Sequence, residues 1–306
     1  MTIDIFAGDL RPMEYWALKA RDKVADWKNG KVDGRSTGFK TLDPYMRLID
    51  SELTLIAARP SMGKTAIAMQ ISENVARQLQ REGDPGSVAV FSAEMSGTEL
   101  VIRMTSAFAG VNSHKLRNGK GTPDEYRKLD DAIAALSHVP IWMDDSSAPS
   151  TGKMLEQLDR LNQTIPVRAM LFDFVELGGD KAPNEELRIS TILQHLKGIA
   201  KTLNIPVLAL NQLSREVERR ANKLPQLADL RYSGMAEQIA DKVVFIMRPE
   251  YYEERKDAID VPQEDKKGIA YILVAKNRNG PVGMVKMAFR KDQSAFGDLE
   301  LRDIAK

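Results

Sequence analysis

Residues 58–65 of this chain, A-R-P-S-M-G-K-T, constrain its fold more than any other segment. They follow an apolar run typical of a buried strand and precede an amphipathic segment typical of a helix, which is the context of a phosphate-binding P-loop. Gly63 lets backbone amides approach phosphate oxygens, Lys64 can reach the β- and γ-phosphates, and the Thr65 hydroxyl can ligate Mg²⁺. The alternative is a chance Gly-Lys-Thr at a helix start, because Ala58 stands where the pattern usually has glycine. The residues predicted to bind a nucleotide are Ala58, Arg59, Pro60, Ser61, Met62, Gly63, Lys64 and Thr65.

Apolar strands and amphipathic helices alternate along the rest of the chain. Several apolar runs are continuous, as expected for strands covered on both faces, and the alternation predicts an α/β fold with a mainly parallel sheet. The last two strands have no helix between them, which predicts an antiparallel hairpin around Asn279-Gly280. The predicted strands are residues 53–58, 88–93, 139–143, 169–175, 205–210, 243–247, 271–276 and 282–289. The predicted helices are residues 65–81, 97–109, 123–137, 151–163, 185–203 and 235–241.

A further helix is predicted at the N-terminus, because apolar residues recur there on one helical face. These residues are Met13, Trp16, Ala17, Ala20, Val24 and Trp27. Glycine and charged residues fill positions 29–38 and predict a linker. We therefore expect an N-terminal segment with a helix and a linker over residues 1–38, and one large α/β domain over residues 39–306.

Charge and composition exclude several classes of protein. The chain has 44 Lys and Arg against 43 Asp and Glu, so a globally basic surface that coats nucleic acid is excluded and any polyanion site must be local. It has no cysteine, which excludes thiolate metal sites, and its 3 histidines are scattered. No targeting segment is visible, and the apolar runs are far shorter than the about 20 residues of a membrane span. We expect a cytoplasmic protein with no membrane partner.

Two carboxylates follow predicted strands in the way that phosphate chemistry requires. Asp173 ends an apolar run, where a Walker-B aspartate would bind the metal ion together with Thr65. Glu94 ends a neighbouring run, and because ligands of open α/β sheets gather at the carboxyl ends of strands, we expect it to activate the attacking water. The alternatives are an ordinary acid at a strand end for Asp173 and a cap of the helix that starts near Ser96 for Glu94.

Together these residues resemble the RecA-fold motor of DnaB-type replicative helicases. The P-loop with its alanine is that family's own variant, and six further blocks are similar to the family's motifs. They are T-G-F-K-T-L-D at 37–43, F-S-A-E-M at 91–95, F-D-F at 172–174, L-N-Q-L-S-R at 210–215, D-L-R-Y-S-G at 229–234 and K-N-R-N-G-P at 276–281. The likeness covers residues 12–300, whereas the N-terminal domain that the family usually carries before the motor has no counterpart in this sequence.

The resemblance implies a RecA-like P-loop core that hydrolyses ATP with Mg²⁺ at the interfaces of a ring-shaped homo-hexamer. Glu94 and Lys64 would then be catalytic, Gln212 would sense the γ-phosphate, and Lys276 and Arg278 would reach the γ-phosphate of the neighbouring subunit. An alternative for the last two is a type I′ turn at Asn279-Gly280 with incidental basic flanks. The N-terminal helix would dock on the adjacent motor, its alternative being packing on its own domain.

The resemblance also implies a helicase that acts on single-stranded DNA in replication, moves 5′–3′, and meets a helicase loader or other replication proteins. The residues implied to bind DNA are Arg215, Arg219, Arg220, Lys223, Arg231 and Gly234. Taken alone, this stretch is equally a solvated helix face. A companion loop at residues 178–186 has Lys181 as its only cation. Tyr232 and Ile239 depart from the family pattern, which has glutamate and aspartate there.

Two other classes of function remain open at this point. The first is a nucleotide-gated DNA-binding protein, or one that regulates or loads a helicase, with weak or no unwinding. The presence of Glu94, Gln212 and Arg278 argues against it, because a pure binding protein needs none of them. The second is a RecA-like recombinase, which shares the fold but is less favoured by the blocks at 229–234 and 276–281.

Overall fold

A computed structural model describes residues 10–230, 233–255, 257, 259, 261, 262, 265 and 267–299 of the chain. It contains one nine-stranded sheet with the strand order β3-β2-β4-β5-β1-β6-β7-β8-β9. Strands β1 to β6 run parallel, and β7, β8 and β9 extend the sheet in antiparallel fashion. The strands are β1 Leu53–Ala58, β2 Ser87–Ser92, β3 Ile141–Asp144, β4 Val167–Asp173, β5 Val207–Gln212, β6 Lys242–Met247, β7 Ile269–Asn277, β8 Gly283–Arg290 and β9 Ala295–Gly297. The predicted α/β class with a mainly parallel sheet is confirmed.

The helices follow the predicted pattern and add two short ones, α4 and α9. Thr122 caps α5 through a complete capping box with Glu125, and Ser96 caps α3 by accepting from the backbone N–H of Glu99. These caps stabilise the ends because they satisfy backbone N–H groups that have no partner inside the helix. The helices are α1 Met13–Lys28, α2 Lys64–Glu82, α3 Gly97–Ala109, α4 Ser113–Arg117, α5 Pro123–Leu136, α6 Thr151–Asn162, α7 Glu185–Leu203, α8 Ser233–Ile239 and α9 Pro249–Glu254.

The core consists of two apolar layers, one on each face of the sheet. Along β1, Ile56 and Ala58 belong to the layer that contains α2, whereas Leu55 and Ala57 belong to the layer that contains α6 and α7. All six residues of β1 are buried. This two-sided burial explains why the strand is continuously apolar rather than alternating, and it fixes the strand that carries the P-loop.

The N-terminal helix lies outside both layers. No residue of α1 is buried, and Trp16 and Trp27 are 52% and 50% exposed. Part of the segment predicted as a linker is ordered against the main domain instead, because the Arg47 guanidinium donates to the backbone oxygens of Asp33 and Gly34 at 2.9 and 2.8 Å. Among the described helices, none has the length and apolar character needed to cross a lipid bilayer.

Candidate functional site

The loop between β1 and α2 has the backbone of a phosphate cradle. Gly63 has φ +91° and begins α2 in the left-handed conformation. A Cβ at this position would lie 2.9 Å from the ring of Phe296 and 3.2 Å from the ring of Phe289. Both the backbone angle and the close approach of these rings therefore require glycine. The two rings, from β8 and β9, form an edge-to-face pair with centroids 4.8 Å apart and pack against the loop at Gly63.

A cavity of about 770 Å³ opens above this loop, within the size range of small-molecule sites. Seven of the eight predicted nucleotide-binding residues lie along one wall, at 58–61 and 63–65. Met62, the eighth, is 1% exposed and packs in the core, so its side chain does not line the cavity. Asp173 reaches the site through its contact with Thr65. The cavity is also lined by Glu94, Glu99, Arg103, His114, Arg117, Phe289 and Lys291.

Lys64 projects its ammonium group toward the ends of the central strands. Its Nζ lies 3.5 Å from the backbone oxygen of Asn211 and 4.3 Å from the centre of the Phe174 ring. Burial lowers the pKa of Lys64, and the carboxylates of Asp173, Glu176 and Glu94 oppose that shift. These carboxylates keep the half-buried ammonium group charged, so that it can bind the oxygens of an anion such as a triphosphate.

Thr65 and Asp173 form the second polar pair of the site. The Thr65 hydroxyl donates to Asp173 Oδ2 at 2.7 Å. Asp173 is 1% exposed, its Oδ1 has no hydrogen-bond partner among the described residues, and burial raises its pKa. One hydroxyl and one orphaned carboxylate oxygen fit a hard divalent cation that takes its other ligands from phosphate and water. No cluster of three His, Cys, Asp or Glu suited to a metal exists within the described residues.

Glu94 and Gln212 complete the cavity from the neighbouring strands. Glu94 is exposed and lines the same cavity as the P-loop. The alternative that it caps α3 is wrong, because Ser96 is the cap. Gln212 ends β5, lines the same cavity, and its backbone N–H donates to Glu176 Oε1 at 2.7 Å. The candidate base and sensor therefore share one cavity with Lys64.

Arg248 is a cavity residue that the sequence reasoning missed. Its Nη1 donates to the backbone oxygen of Ser61 at 2.9 Å, and its guanidinium carbon lies 3.7 Å from the Phe289 ring centroid. The side chain is buried and lines the cavity, so it braces the P-loop against the aromatic pair. A signal was present, since Arg248 directly follows the strand predicted at 243–247 and so lies at the same carboxyl edge.

Lys276 and Arg278 lie on the side of the sheet where the parallel strands begin, opposite the side that carries the P-loop. Lys276 pairs with Val243, near the start of β6, and the backbone N–H of Arg278 donates to the oxygen of Asp241 at 3.0 Å. The P-loop of the same chain follows the last residue of β1. That residue lies five positions beyond the start of β1, which is about 17 Å along the strand at about 3.3 Å per residue. The hairpin itself is confirmed, but the type I′ alternative is wrong, because neither Asn279 nor Gly280 has the positive φ that this turn requires.

The predicted DNA-binding residues divide into exposed and internally bonded ones. Arg215 and Arg219 are exposed on the short 3₁₀ helix that follows β5, and Arg219 pairs with Glu216 at 2.9 Å. Arg220 instead donates to Asp229 Oδ1 at 3.0 Å and to the Leu224 oxygen at 2.9 Å. The Lys223 ammonium donates to the Glu218 oxygen at 2.7 Å.

The second DNA segment and the companion loop lie nearby. Gly234 is in the first turn of α8, where a Cβ would meet open space, whereas Arg231 and Tyr232 lie outside the described residues. The start of the companion loop is fixed by Arg188, which donates from Nη1 to the backbone oxygen of Gly178 and from Nη2 to the backbone oxygen of Glu176 at 2.7 Å. Asp180 also accepts from the backbone N–H of Thr151 at 2.9 Å.

Comparison with known proteins gives a consistent set of relatives. A family model described as "DnaB-like helicase C terminal domain" matches residues 34–298. "Replicative DNA helicase DnaB" of Geobacillus stearothermophilus is 39% identical over 279 residues, covering 90% of this chain and 59% of that protein. The protein of the same name from Rickettsia prowazekii is 40% identical over 291 residues, covering 90% of this chain and 60% of that protein. The chain thus spans about three fifths of these relatives.

Solved structures agree with the sequence relatives. A structure described as a DnaB-like replicative helicase and its interactions with primase superposes with a TM-score of 0.81 at 31% identity, covering 96% of this chain and 68% of that one. A second structure, described as an ATPase domain, gives a TM-score of 0.82 at 30% identity and covers 95% of this chain and 100% of that one.

Proposed function

The chain belongs to the DnaB-like helicase C-terminal domain family, and from this membership we propose that it is the motor of an ATP-dependent replicative DNA helicase. In this proposal it hydrolyses ATP, moves 5′–3′ along single-stranded DNA and separates the duplex ahead of it. The proposed site assigns a role to Lys64, Thr65, Glu94, Asp173 and Gln212. A helicase loader or another replication protein would place it on DNA. Because the proposed activity uses ATP and DNA, we expect the protein to lie in the cytoplasm.

The chemistry proposed for the cavity follows from the positions of its side chains. The triphosphate lies along residues 58–65, where Lys64 neutralises the β- and γ-phosphates and backbone amides bind their oxygens. Glu94 accepts a proton from the attacking water, and Gln212 contacts the γ-phosphate. Mg²⁺ held by Thr65 and Asp173 would neutralise charge on the phosphates.

One observation carries the proposal that hydrolysis occurs between subunits. Arg278 lies where the parallel strands of the sheet begin, and the P-loop lies where they end. Arg278 therefore cannot reach a nucleotide bound to the P-loop of its own chain. Two complementary features on opposite sides of a subunit make a head-to-tail interface, which closes into a ring when the rotation between subunits permits. Lys276 and Arg278 would then stabilise the transition-state charge in the adjoining subunit, a contribution worth about 10³–10⁵ in rate.

The exposed face of α1 supports the same head-to-tail assembly. An amphipathic helix that buries none of its apolar residues on its own domain needs another surface for them. We assign that surface to the adjacent motor of a homo-hexamer, so that α1 joins each subunit to its neighbour.

DNA contact is assigned to the segment that follows the sensor strand. Arg215 and Arg219 are exposed three and seven residues beyond Gln212, so a change at the γ-phosphate can shift them. We propose that they hold DNA phosphates, while Arg220 and Lys223 shape the segment through the internal bonds described above. Arg231 and Gly234 belong to the same proposed surface. Recognition of phosphates is independent of sequence and sensitive to salt.

Mixing two inactive variants tests the shared site. Lys64→Ala removes the P-loop cation and Arg278→Ala removes the proposed trans cation, and each protein alone should lose DNA-stimulated turnover. A 1:1 mixture should recover roughly one quarter of wild-type activity, because about one in four head-to-tail interfaces pairs an intact P-loop with an intact arginine. Arg81→Ala, an exposed arginine at the end of α2, is the matched control and should remain active.

The outcomes separate the proposed functions. Full turnover by the Arg278→Ala protein alone would refute the shared site. A wild-type protein that hydrolyses ATP but displaces no strand from a forked duplex would favour the nucleotide-gated DNA-binding or helicase-regulating protein instead.

A further inference from the structure

A buried polar cluster lies where the central strands β1 and β6 begin. Glu52 and Lys242 are 5% and 1% exposed, and the Lys242 ammonium forms an ion pair with Glu52 Oε2. The strands that follow them are otherwise apolar, so this pair is a departure from the composition of the core. Such pairs are weak contributors to stability, because removing two charges from water costs about as much as their attraction returns.

The cluster reaches the hairpin between β7 and β8 through one side chain. Asn279 is exposed at the turn, yet its Nδ2 donates to Glu52 Oε1. In water this amide would find partners without ordering, so a bond to a buried carboxylate fixes its direction. Asn277, two residues earlier, donates from Nδ2 to the Tyr45 backbone oxygen at 2.9 Å and holds the other side of the turn.

Arg278 lies between these two anchored asparagines and has its own buried partner. Its Nη1 is 3.4 Å from Asp241 Oδ1, and its Nη2 donates to the Gln238 backbone oxygen at 2.5 Å. The other oxygen of Asp241 accepts from the Leu53 backbone N–H at 2.8 Å and from Lys197 Nζ at 2.6 Å. The arginine is thus held by α8 and by the residue that precedes β6, and Asp241 in turn is bonded to the first residue of β1.

We infer that Asn279 is a positioning residue for hydrolysis, and that the Glu52–Lys242 pair directs Arg278 toward the neighbouring subunit by holding Asn279. This inference rests on the proposed function, in which Arg278 acts on the nucleotide of the adjoining copy. Asn279 touches no phosphate in this arrangement, and its effect passes through the orientation of the turn.

The strand β1 connects the anchor of the hairpin to the P-loop. Glu52 precedes the first residue of β1, and the P-loop follows its last residue, Ala58. This strand therefore joins the P-loop of a subunit to the anchor of the hairpin that carries Arg278.

Steady-state ATPase kinetics with single-stranded DNA test the inference. Asn279→Ala should lower kcat by about 10- to 100-fold, the loss expected from misplacing a catalytic group by about 1 Å. KM for ATP should stay within about twofold, because the P-loop of each subunit is untouched and uniform binding is therefore retained. Val282→Ala, which is 58% exposed in the same hairpin, is the matched control and should keep wild-type kcat.

A reciprocal exchange distinguishes positioning from simple support of the fold. Asn279→Asp places two carboxylates against each other and should be impaired. Combining it with Glu52→Gln swaps donor and acceptor between positions 52 and 279. One negative charge stays in the cluster, now at position 279, and the amide oxygen at position 52 can still accept from Lys242, so the double variant should regain most of the lost kcat. A merely structural role would show as a lowered Tm with kcat and KM changing together.

An Arg278→Ala arm separates failure of this inference from failure of the proposed function. If that protein keeps wild-type kcat, the shared site itself is wrong and the inference falls with it. If it is inactive while Asn279→Ala retains wild-type kcat, the positioning role is overturned and the shared site stands. Failure of the double variant to recover any activity would also overturn the positioning role.

Discussion

Replacing Trp16 with alanine should separate assembly from folding. Trp16 lies on α1 and is 52% exposed, and no residue of that helix is buried. The free energy of unfolding of a single subunit should therefore change by less than about 0.5 kcal/mol, as for other surface substitutions. The interface between subunits should weaken, because the exposed part of the ring is the part that the proposed neighbour covers.

The size of the effect follows from the exposed area. A tryptophan contributes up to about 250 Å² of contact surface, so an exposed fraction of 52% leaves about 130 Å² to be covered. At about 25 cal/mol per Å² this burial is worth about 3 kcal/mol. The dissociation constant of one interface should then rise by about 100-fold in the Trp16→Ala protein.

Sedimentation velocity over a range of protein concentrations, with an ATP analogue and single-stranded DNA, measures this constant, and thermal melting measures the fold. Trp142 on the edge strand β3 is 51% exposed and supplies a matched control, since Trp142→Ala removes an equally exposed ring. The reasoning is refuted if Trp16→Ala leaves association unchanged, if it lowers the Tm of the monomer, or if Trp142→Ala weakens association equally.

Three further predictions probe the site. Asp173→Asn should raise the Tm of the nucleotide-free protein at neutral pH and abolish hydrolysis, because the raised pKa of this buried carboxyl means that its ionised form destabilises the fold. That gain in Tm should vanish as the pH falls below about 4, the ordinary carboxyl range, and a lowered Tm at pH 7 would contradict it. Glu94→Gln should keep the affinity for a fluorescent nucleotide but slow phosphate release by at least about 100-fold; unchanged release would exclude Glu94 as the base. Arg215→Ala with Arg219→Ala should weaken binding to all single strands alike and reduce the slope of log K against log salt by about 1.4, and an unaltered slope in anisotropy titrations would remove both from the DNA surface.

The fold and the phosphate side of the site were predictable because they depend on local patterns. Lys64 and Thr65 follow a strand and open a helix, and a parallel arrangement places the carboxyl ends of the strands β1 to β6 on one side of the sheet. Asp173, Glu94 and Gln212 therefore had to converge near the loop once the sheet was known to be parallel.

Other features depend on contacts between distant parts of the chain and left no local signal. The strand β9 has only three residues, too few for a period to be recognised, yet its Phe296 lies against Gly63. The buried partner of Asn279 is Glu52, 227 positions away. The apolar stripe of α1 was visible in the sequence, but periodicity does not reveal which surface covers it.

The contact between Gly63 and Phe296 has an evolutionary consequence. The two positions lie in separate halves of the chain, but the ring occupies the volume that any larger residue in the loop would need. The positive φ of Gly63 excludes larger residues independently of the ring, so a change at Phe296 alone leaves glycine required in the loop. Descendants of this sequence should therefore retain Gly63 even in lineages that replace the aromatic residue.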